Sequence, residues 1–497
     1  MFEQYKAAWL QKAEALKPVL FEETVRPVSG MPDCSLRETE SVVLDFGSHF
    51  VGRLNLKLNS EGSHPDAPVW LQFKFCENER ELNESLDQYN GWISRSWVQQ
   101  EQIHVDILPG EITLPRRFAF RYIRIDVLAL SSKYSLVIED AWAQTVTSAE
   151  DRSLVEFQGD SWEKSIDRVA LRTLRSCMQD VFEDGPKRDR RLWLGDLRLQ
   201  ALTNSVTYRN FDLVKRCLYL FAFAADQDGR LPACLFTEPR VEGDDTYMFD
   251  YSLFFIPTLL NYARASGDEE TLQELQSVAL HQLELAEEQF DAKTNLIQDS
   301  ERLGWCFVDW NLQLNKQCSA QAIWIYCAQA ALQIREDPAL ADRVEKRKTA
   351  MLAHWYNRDR HLFLSGKDRQ ISWASQVWAV LAGVIENEEA AACLEAVKDC
   401  PDAQKMVTPY MMHHYVEALC CVGKRQQARQ VIREYWGAMV EHGADTFWEL
   451  FNPDAPDESP YGSPVVNSYC HAWSCTPAWF LRSGILEEDH GKGLSGY

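Results

Sequence analysis

From residue 184 to residue 196 the chain reads Asp184-Gly-Pro-Lys-Arg-Asp189-Arg-Arg-Leu-Trp-Leu-Gly-Asp196. Asp184-Gly-Pro favours the start of a helix, so the stretch is expected to open a helical part of the chain. If a helix runs from Asp189 to Asp196, the two acids share one face. Crowded acids repel one another, so at least one is expected to have a raised pKa and stay protonated near neutral pH, as a general acid must. A surface helix with Asp–Arg ion pairs is the alternative.

A fourth acid, Glu449, lies far downstream in the aromatic segment Asp445-Thr-Phe-Trp-Glu-Leu-Phe451. Carboxylates beside tryptophans are typical of sites that cleave sugars. One carboxyl protonates the leaving oxygen, a second activates water, and flat rings contact the apolar faces of a pyranose. A rim position beside core tryptophans is the alternative for Glu449. Three other tryptophans are expected in the core: Trp305, Trp324 and Trp378.

The formal net charge of −23 argues against two classes of partner. Nucleic-acid phosphates and anionic membrane surfaces would both be repelled. The sequence has no apolar run of about eighteen residues, so no membrane-spanning helix is expected. The start of the chain lacks the zones of a secretory signal, and the fourteen cysteines form no CxxC pair. We therefore expect a reduced, cytoplasmic protein with neither a metal nor a cofactor.

The hydrophobic pattern changes along the chain. Apolar and polar residues alternate in Val69-Trp-Leu-Gln-Phe-Lys-Phe75 and Arg121-Tyr-Ile-Arg-Ile-Asp-Val127, which is typical of antiparallel strands in a β-sandwich. From about residue 150 the patterns are helical, as in 213–225, 270–289 and 320–334. Helix pairs over so long a region indicate a toroid rather than a bundle.

These patterns predict two domains. Residues 1–150 are expected to form a β-sandwich with a short leading helix, and residues 151–497 a toroid of helix pairs. The irregular stretches 228–247 and 451–468 are expected to line one mouth of the toroid, where functional sites tend to lie.

Taken together, the two acidic segments resemble the signature of bacterial α-L-rhamnosidases, glycoside hydrolase family 78. Residues 184–196 are similar to that family's pattern Asp-Cys-Pro-x-Arg-Glu-Arg-x-Gly-Trp-x-Gly-Asp. Residues 443–449, Gly-Ala-Asp-Thr-Phe-Trp-Glu, resemble its Gly-Ala-Thr-Thr-x-Trp-Glu segment. Further likenesses follow the same order along the chain: Leu44-Asp-Phe-Gly47, Phe120-Arg-Tyr-Ile-Arg124 and Asn467-Ser-Tyr-Cys-His-Ala-Trp-Ser474.

The resemblance implies an N-terminal antiparallel β-sandwich followed by an (α/α)6 barrel, the six-hairpin toroid. It also implies removal of terminal α-L-rhamnosyl groups with inversion, and the expected intracellular location predicts small glycosides or oligosaccharides as substrates. By position, Asp189 would be the general acid and Glu449 the general base. Sugar contacts are implied for Asp184, Arg188, Trp193, Asp196, Phe249, Asp309, Trp310 and His471. The sandwich domain offers a surface for a homodimer.

The chain departs from the family pattern at two positions. Gly185 replaces Cys, and Asp189 stands where the family commonly has Glu. Aspartate is shorter by one C–C bond, about 1.5 Å, and proton transfer needs contact within about 3 Å. We expect the backbone to lie closer to the substrate. The alternatives are that another acid of the cluster takes the role, or that activity is weak.

Other functions fit the same toroid. Unsaturated-uronyl hydrolases and sugar epimerases share it, although an epimerase needs histidine pairs and only His471 is a persuasive candidate. A non-catalytic carbohydrate-binding protein would keep the tryptophans but would not need two separated acids. An inverting hydrolase requires carboxyls roughly 6.5–9.5 Å apart. Asp189 and Glu449 must therefore lie on opposite walls of one cavity.

Overall fold

The computed structural model describes residues 2–151, 154–299, 305–456, 459 and 461–487. A seven-stranded antiparallel sheet comes first, and a helical domain follows. In the ranges described, no helix combines the length and the apolar character that crossing a membrane requires.

The strands of the large sheet are β1 (Phe21–Val25), β2 (Ser41–Gly62), β3 (Val69–Cys76), β4 (Gln100–Val105), β5 (Gly110–Thr113), β6 (Phe118–Ala129) and β7 (Tyr134–Thr147). Their order is β1-β7-β2-β6-β3-β4, with β5 also paired to β2. Strand β2 pairs with β6 through its first half and with β5 and β7 through its second half. The two layers of the β-sandwich therefore share this long strand.

The alternation in β2 explains the sandwich core. Leu54, Leu56 and Leu58 are fully buried, while Arg53 before Leu54 and Lys57 before Leu58 are exposed. Successive side chains of a strand point to opposite faces, so one face is apolar and the other is wet. The predicted β-sandwich is confirmed.

The helices are α1 (Glu3–Ala15), α2 (Ser161–Cys177), α3 (Leu194–Val206), α4 (Phe211–Ala224), α5 (Phe249–Ser266), α6 (Glu269–Ala286), α7 (Gln317–Ile334), α8 (Pro338–His354), α9 (Trp373–Leu381), α10 (Asn387–Ala396), α11 (Pro409–Cys421), α12 (Arg425–Glu441) and α13 (Pro477–Arg482). Two small sheets lie between the helices. One has three strands, β8 (Leu192–Trp193), β9 (Cys234–Phe236) and β10 (Glu242–Gly243), and the other has two, β11 (Tyr356–Asn357) and β12 (Leu362–Phe363).

The helices from α2 onward form two concentric rings. Helices α3, α5, α7, α9 and α11 contact one another in succession, and residues 472–482 close this inner ring against α3. Each inner helix packs against an outer partner, as α5 does against α6 and α11 against α12. The predicted (α/α)6 barrel is confirmed. Trp324 and Trp378 are fully buried, as expected of core residues.

The leading helix packs on the barrel. Helix α1 packs against α4 of the barrel, and Trp9 belongs to the barrel core. Its indole Nε1 donates to Glu274 Oε1 at 3.1 Å. Residues at the start of the chain thus cover the outer face of the helical domain, because their apolar stripe finds α4 rather than the sheet.

Candidate active site

A cavity of about 360 Å³ opens at the ends of the barrel where α3 and α5 begin. Its walls come from four parts of the barrel, residues 184–196, 244–251, 305–310 and 449–473, and from residues 92–97 of the sandwich domain. Eight of the predicted site residues line it: Asp184, Arg188, Asp189, Trp193, Asp196, Trp310, Glu449 and His471.

The backbone from Asp184 to Arg191 forms a turn instead of the predicted helix. Strand β8 follows the turn, and helix α3 begins only at Leu194. Asp184 organises the turn, because its Oδ2 accepts from Asp189 N at 3.3 Å and its Oδ1 accepts from Arg191 N at 3.1 Å. The expectation that Asp189 and Asp196 share a helix face is wrong. A folded loop brings them to one cavity.

Gly195 is required at the start of α3. A Cβ atom there would lie 2.3 Å from the Tyr251 ring. The missing side chain lets Tyr251 approach, and its hydroxyl donates to Asp196 Oδ2 at 3.4 Å. Asp196 lies in the first turn of α3, where the helix dipole favours a negative charge.

The deep end of the cavity holds a buried cluster of two acids and a histidine. Burial, followed by the charge of Asp189, raises the pKa of Asp184 to about 8. Burial also raises the pKa of Asp196. His471 Nε2 lies 3.1 Å from Asp196 Oδ1. Burial acts to lower the pKa of His471, but this hydrogen bond and the surrounding carboxylates raise it to about 9. Near neutral pH, Asp184 is therefore protonated and His471 is a cation.

Glu449 is held by two donors. Arg188 Nη2 donates to Glu449 Oε2 at 2.5 Å, and the Tyr461 hydroxyl donates to Glu449 Oε1 at 2.6 Å. Arg188 is fixed in turn, since its Nε donates to Val466 O at 2.7 Å. Burial acts to lower the pKa of Arg188, but the charge of Glu449 raises it above its ordinary value. The guanidinium thus stays charged and balances the carboxylate. Trp473 Nε1 donates to the Glu449 carbonyl at 3.0 Å and fixes its backbone.

Asp189 and Glu449 meet at the same cavity although they are far apart in sequence. Asp189 is half-buried, whereas Glu449 is 4% exposed. The Asp189 carboxyl is thus partly accessible to solvent, whereas the Glu449 carboxyl is shielded from it.

Three residues that line the cavity carry a buried donor nitrogen. Arg191 Nε, Trp310 Nε1 and His471 Nδ1 make no hydrogen bond among the residues that the structure describes. A buried donor without a partner costs free energy, which a ligand hydroxyl would recover. A polyhydroxylated ligand would supply such hydroxyls.

Two predicted site residues lie away from the cavity. Phe249 lines a second cavity, which shares Met248 and Trp305 with the first. Asp309 is buried, its Oδ1 accepting from Thr408 Oγ1 at 2.7 Å and its Oδ2 from Val407 N at 2.9 Å. Asp309 thus fastens the loop that carries Trp310. The predicted sugar contacts of Phe249 and Asp309 are not supported.

Other residues at the cavity were missed or misjudged. Trp305, expected in the core, is 50% exposed and lines the cavity. No sequence pattern marks Tyr461 as a site residue, because its role depends on a contact with Glu449 across a loop. The residues 92–97 of the sandwich domain were also missed, since nothing in a single sequence shows that one domain reaches into the other.

Two family profiles match the chain. The profile of the glycosyl hydrolase family 78 alpha-rhamnosidase N-terminal domain matches residues 10–145, and that of the bacterial alpha-L-rhamnosidase six-hairpin glycosidase domain matches residues 160–485. A search of curated proteins returned no match.

Solved structures agree with the profiles. A rhamnosidase from Klebsiella oxytoca with rhamnose bound is 44% identical, with a TM-score of 0.93 over 96% of this chain and 98% of that chain. A family 78 rhamnosidase of Bacillus sp. GL1 shares the fold at 22% identity and TM-score 0.74, over 89% of this chain and 46% of that chain. An α-L-rhamnosidase of Streptomyces avermitilis complexed with L-rhamnose shares it at 16% identity and TM-score 0.69, over 94% of this chain and 44% of that chain.

The chain therefore spans less than half of those two longer proteins but nearly all of the Klebsiella rhamnosidase. Since the six-hairpin profile covers well over half of its residues, the chain belongs to the bacterial α-L-rhamnosidases of glycoside hydrolase family 78.

Proposed function

We propose that this glycosidase removes terminal α-L-rhamnosyl groups from small glycosides or oligosaccharides with inversion, using Asp189 as general acid and Glu449 as general base. Its family membership makes it a rhamnoside hydrolase. The observation that supports the two roles is the position of both carboxyls on one cavity. An inverting site needs two carboxyls separated by room for a water molecule.

In the proposed reaction, the oxygen of a water molecule attacks the anomeric carbon while the bond to the leaving oxygen breaks. Glu449 accepts a proton from the water, and Asp189 gives its proton to the leaving oxygen. The products are L-rhamnose and the free alcohol. Each oxygen of a carboxylate has two lone pairs, so Glu449 keeps accepting capacity beyond its bonds to Arg188 and Tyr461.

The deep cluster is proposed to hold the sugar. Protonated Asp184 can donate to a hydroxyl, and Asp196 can accept from one. Trp310 Nε1 and His471 Nδ1 are two donors of lining residues that lack a partner among the described residues. Rhamnose is a 6-deoxy sugar with an apolar methyl group, and the half-buried Trp193 offers a matching surface.

Three further statements belong to this proposal. The last sheet strand ends at Thr147 and the first barrel helix begins at Ser161, which supports a domain division near residue 150. A cytoplasmic location and a homodimer through the sandwich domain stay predictions from the sequence.

The roles are tested by Asp189→Asn and Glu449→Gln, which keep the size of each side chain and remove its acid–base function. Each is expected to lower kcat for an aryl α-L-rhamnoside by about 10²–10⁴-fold. Asp244→Asn is the matched control, because Asp244 lines the same cavity without an assigned role in proton transfer. If either variant at 189 or 449 cleaves at the wild-type rate, that role is wrong.

A further inference from the structure

A cavity of about 440 Å³ opens at the end of the barrel opposite the active site. At its mouth Gln333, Leu381 and Cys421 lie in the last turns of the inner helices α7, α9 and α11. The active-site cavity opens instead where α3 and α5 begin. None of the described residues lines both cavities. This rear cavity is therefore a separate feature of the barrel, with a lining of its own.

A buried ion pair between two inner helices lines the rear cavity. The side chain of Arg198 on α3 is 1% exposed, and its Nη2 lies 3.6 Å from Glu417 Oε2 on α11. Arg198 also donates to the Tyr326 hydroxyl at 2.8 Å and to His414 Nε2 at 2.9 Å. His414 accepts there because its Nδ1 donates to the Tyr410 carbonyl at 2.8 Å. The Arg198 guanidinium is thus held in place from three sides.

This ion pair is not fully hydrogen-bonded. Arg198 Nε and Glu417 Oε2 are both buried, and neither makes a hydrogen bond among the residues that the structure describes. The first atom is a donor, and the second is an acceptor when Glu417 is ionised. A buried polar atom without a hydrogen bond costs free energy that a ligand can recover. A hydroxyl group both donates and accepts, so it suits both atoms.

The charges around the rear cavity favour a neutral ligand. Among the described residues, the charged ones that line it are two acids, Glu386 and Glu417, and one base, Arg198, which is already paired. The helix ends at the mouth add partial negative charge, because the last carbonyl groups of a helix lack helical partners. An anion would be repelled at the mouth, and a cation would be repelled by Arg198. Apolar and amide side chains complete the lining, among them Pro257, Leu260, Asn261, Gln329, Val380 and Trp479.

We infer that the rear cavity is a second binding site, which takes a neutral polyhydroxylated molecule of the size of a monosaccharide. Its volume of about 440 Å³ exceeds the 360 Å³ of the active-site cavity, so one sugar ring fits within it. The amides of Asn261 and Gln329 donate and accept, as hydroxyls require, and Trp479 offers an apolar surface to a sugar face. The site does not depend on the proposed function. L-rhamnose is the probe, because it is the sugar that the enzyme releases.

The experiment uses a thiol at the mouth as a reporter. Cys421 lines the rear cavity and is exposed, and Cys34, an exposed cysteine of the sandwich domain, is the internal control. Both are alkylated with iodoacetamide and followed by mass spectrometry of the peptides. L-rhamnose at about 50 mM is expected to slow alkylation of Cys421 by about threefold or more, since only the unoccupied site reacts freely, and to leave Cys34 unchanged. Gln333→Cys adds a second reporter at the same mouth and is expected to be protected in parallel.

Ala330→Leu tests whether the protection comes from the rear cavity. Ala330 on α7 is 7% exposed and lines the cavity, so the larger side chain is expected to abolish protection by rhamnose. The readout is the ratio of alkylation rates with and without the sugar, and hydrolysis is expected to stay at the wild-type rate. Ala391→Leu, a half-buried position on α10 outside the rear cavity, is the matched control and is expected to keep the protection.

The alternatives give different results. Protection by inorganic phosphate at the same concentration but not by rhamnose would make this an anion site and overturn the inference. Protection by neither probe, or protection that persists in Ala330→Leu, would overturn it as well. Asp196→Asn, which alters only the active site, is expected to keep the protection, and its loss there would count against a separate site. A protein that shows the protection but hydrolyses no rhamnoside would refute the proposed function alone.

Discussion

Removing Arg188 alone is expected to destabilise the barrel more than removing its charge together with that of Glu449. The two side chains are 5% and 6% exposed, and their charged atoms are 2.5 Å apart. Arg188→Met leaves the Glu449 carboxylate buried without its hydrogen-bonded counter-charge. Glu449→Gln added to Arg188→Met removes that orphaned charge and keeps an amide oxygen that can accept from the Tyr461 hydroxyl.

The magnitude follows from the cost of an unpaired buried charge. Breaking a buried ion pair by removing one partner typically costs about 3–5 kcal/mol. Arg188→Met also loses the donation to Val466 O, which the double variant does not recover. We therefore expect a loss of about 3–5 kcal/mol in the single variant, and recovery of about half or more in the double variant.

The assay is equilibrium urea unfolding followed by circular dichroism at a helix wavelength, which reports on the barrel. The control is Arg240→Met, because Arg240 and its partner Glu242 are 77% and 57% exposed and such pairs contribute little. If the double variant is no more stable than Arg188→Met, the carboxylate of Glu449 does not depend on Arg188 for its charge balance, and this description of the site is wrong.

Two more predictions concern the titratable groups that line the cavity. Because the folded-state pKa of His471 is raised from 6.5 to about 9, its contribution to stability is complete below pH 6.5 and is lost as the pH rises through about 9. The folded-state pKa of Asp184 is raised from 3.8 to about 8, so its contribution to stability also falls as the pH rises. The denaturant concentration at the unfolding midpoint should therefore decrease as the pH is raised from 6.5 to 9. This decrease should be less steep in Asp196→Asn. A flat profile in the wild type would contradict these shifts. Asp189→Asn should slow substrates with a poor leaving group far more than nitrophenyl rhamnosides, since an activated phenol needs little protonation; an equal loss on both would argue against proton donation by Asp189.

Most of the architecture could be predicted from the pattern of apolar residues. Alternation in 69–75 and 121–127 matches β3 and β6, and the helical patterns 213–225 and 320–334 match α4 and α7 within a few residues. These patterns work because burial of one face is a local property of a strand or a helix. The leading helix shows what such patterns cannot predict. Its existence follows from the local sequence, but its packing against α4 depends on a surface formed by distant residues.

At the candidate site, only the residues within the sequence motifs could be predicted. The positions of Asp184, Asp189, Asp196 and Glu449 on one cavity agree with the expectation from sequence. The helix expected through Asp189 was wrong because the hydrogen bonds of Asp184 to the backbone hold a turn there.

Contacts between distant segments could not be read from the sequence at all. Tyr461 meets Glu449, and Trp92 meets Tyr461, through the docking of one domain on the other. Trp305 looked like a core residue because a tryptophan's exposure depends on what the rest of the chain places beside it.

The most direct test of the mechanism is the anomer released first. Proton NMR during the first minutes of hydrolysis of an aryl α-L-rhamnoside separates the anomeric signals before mutarotation mixes them. Direct attack by a water that Glu449 activates, opposite Asp189, predicts that β-L-rhamnose forms first. If α-L-rhamnose is released first, the reaction passes through a covalent intermediate, and two carboxyls with a water between them are not how this enzyme works.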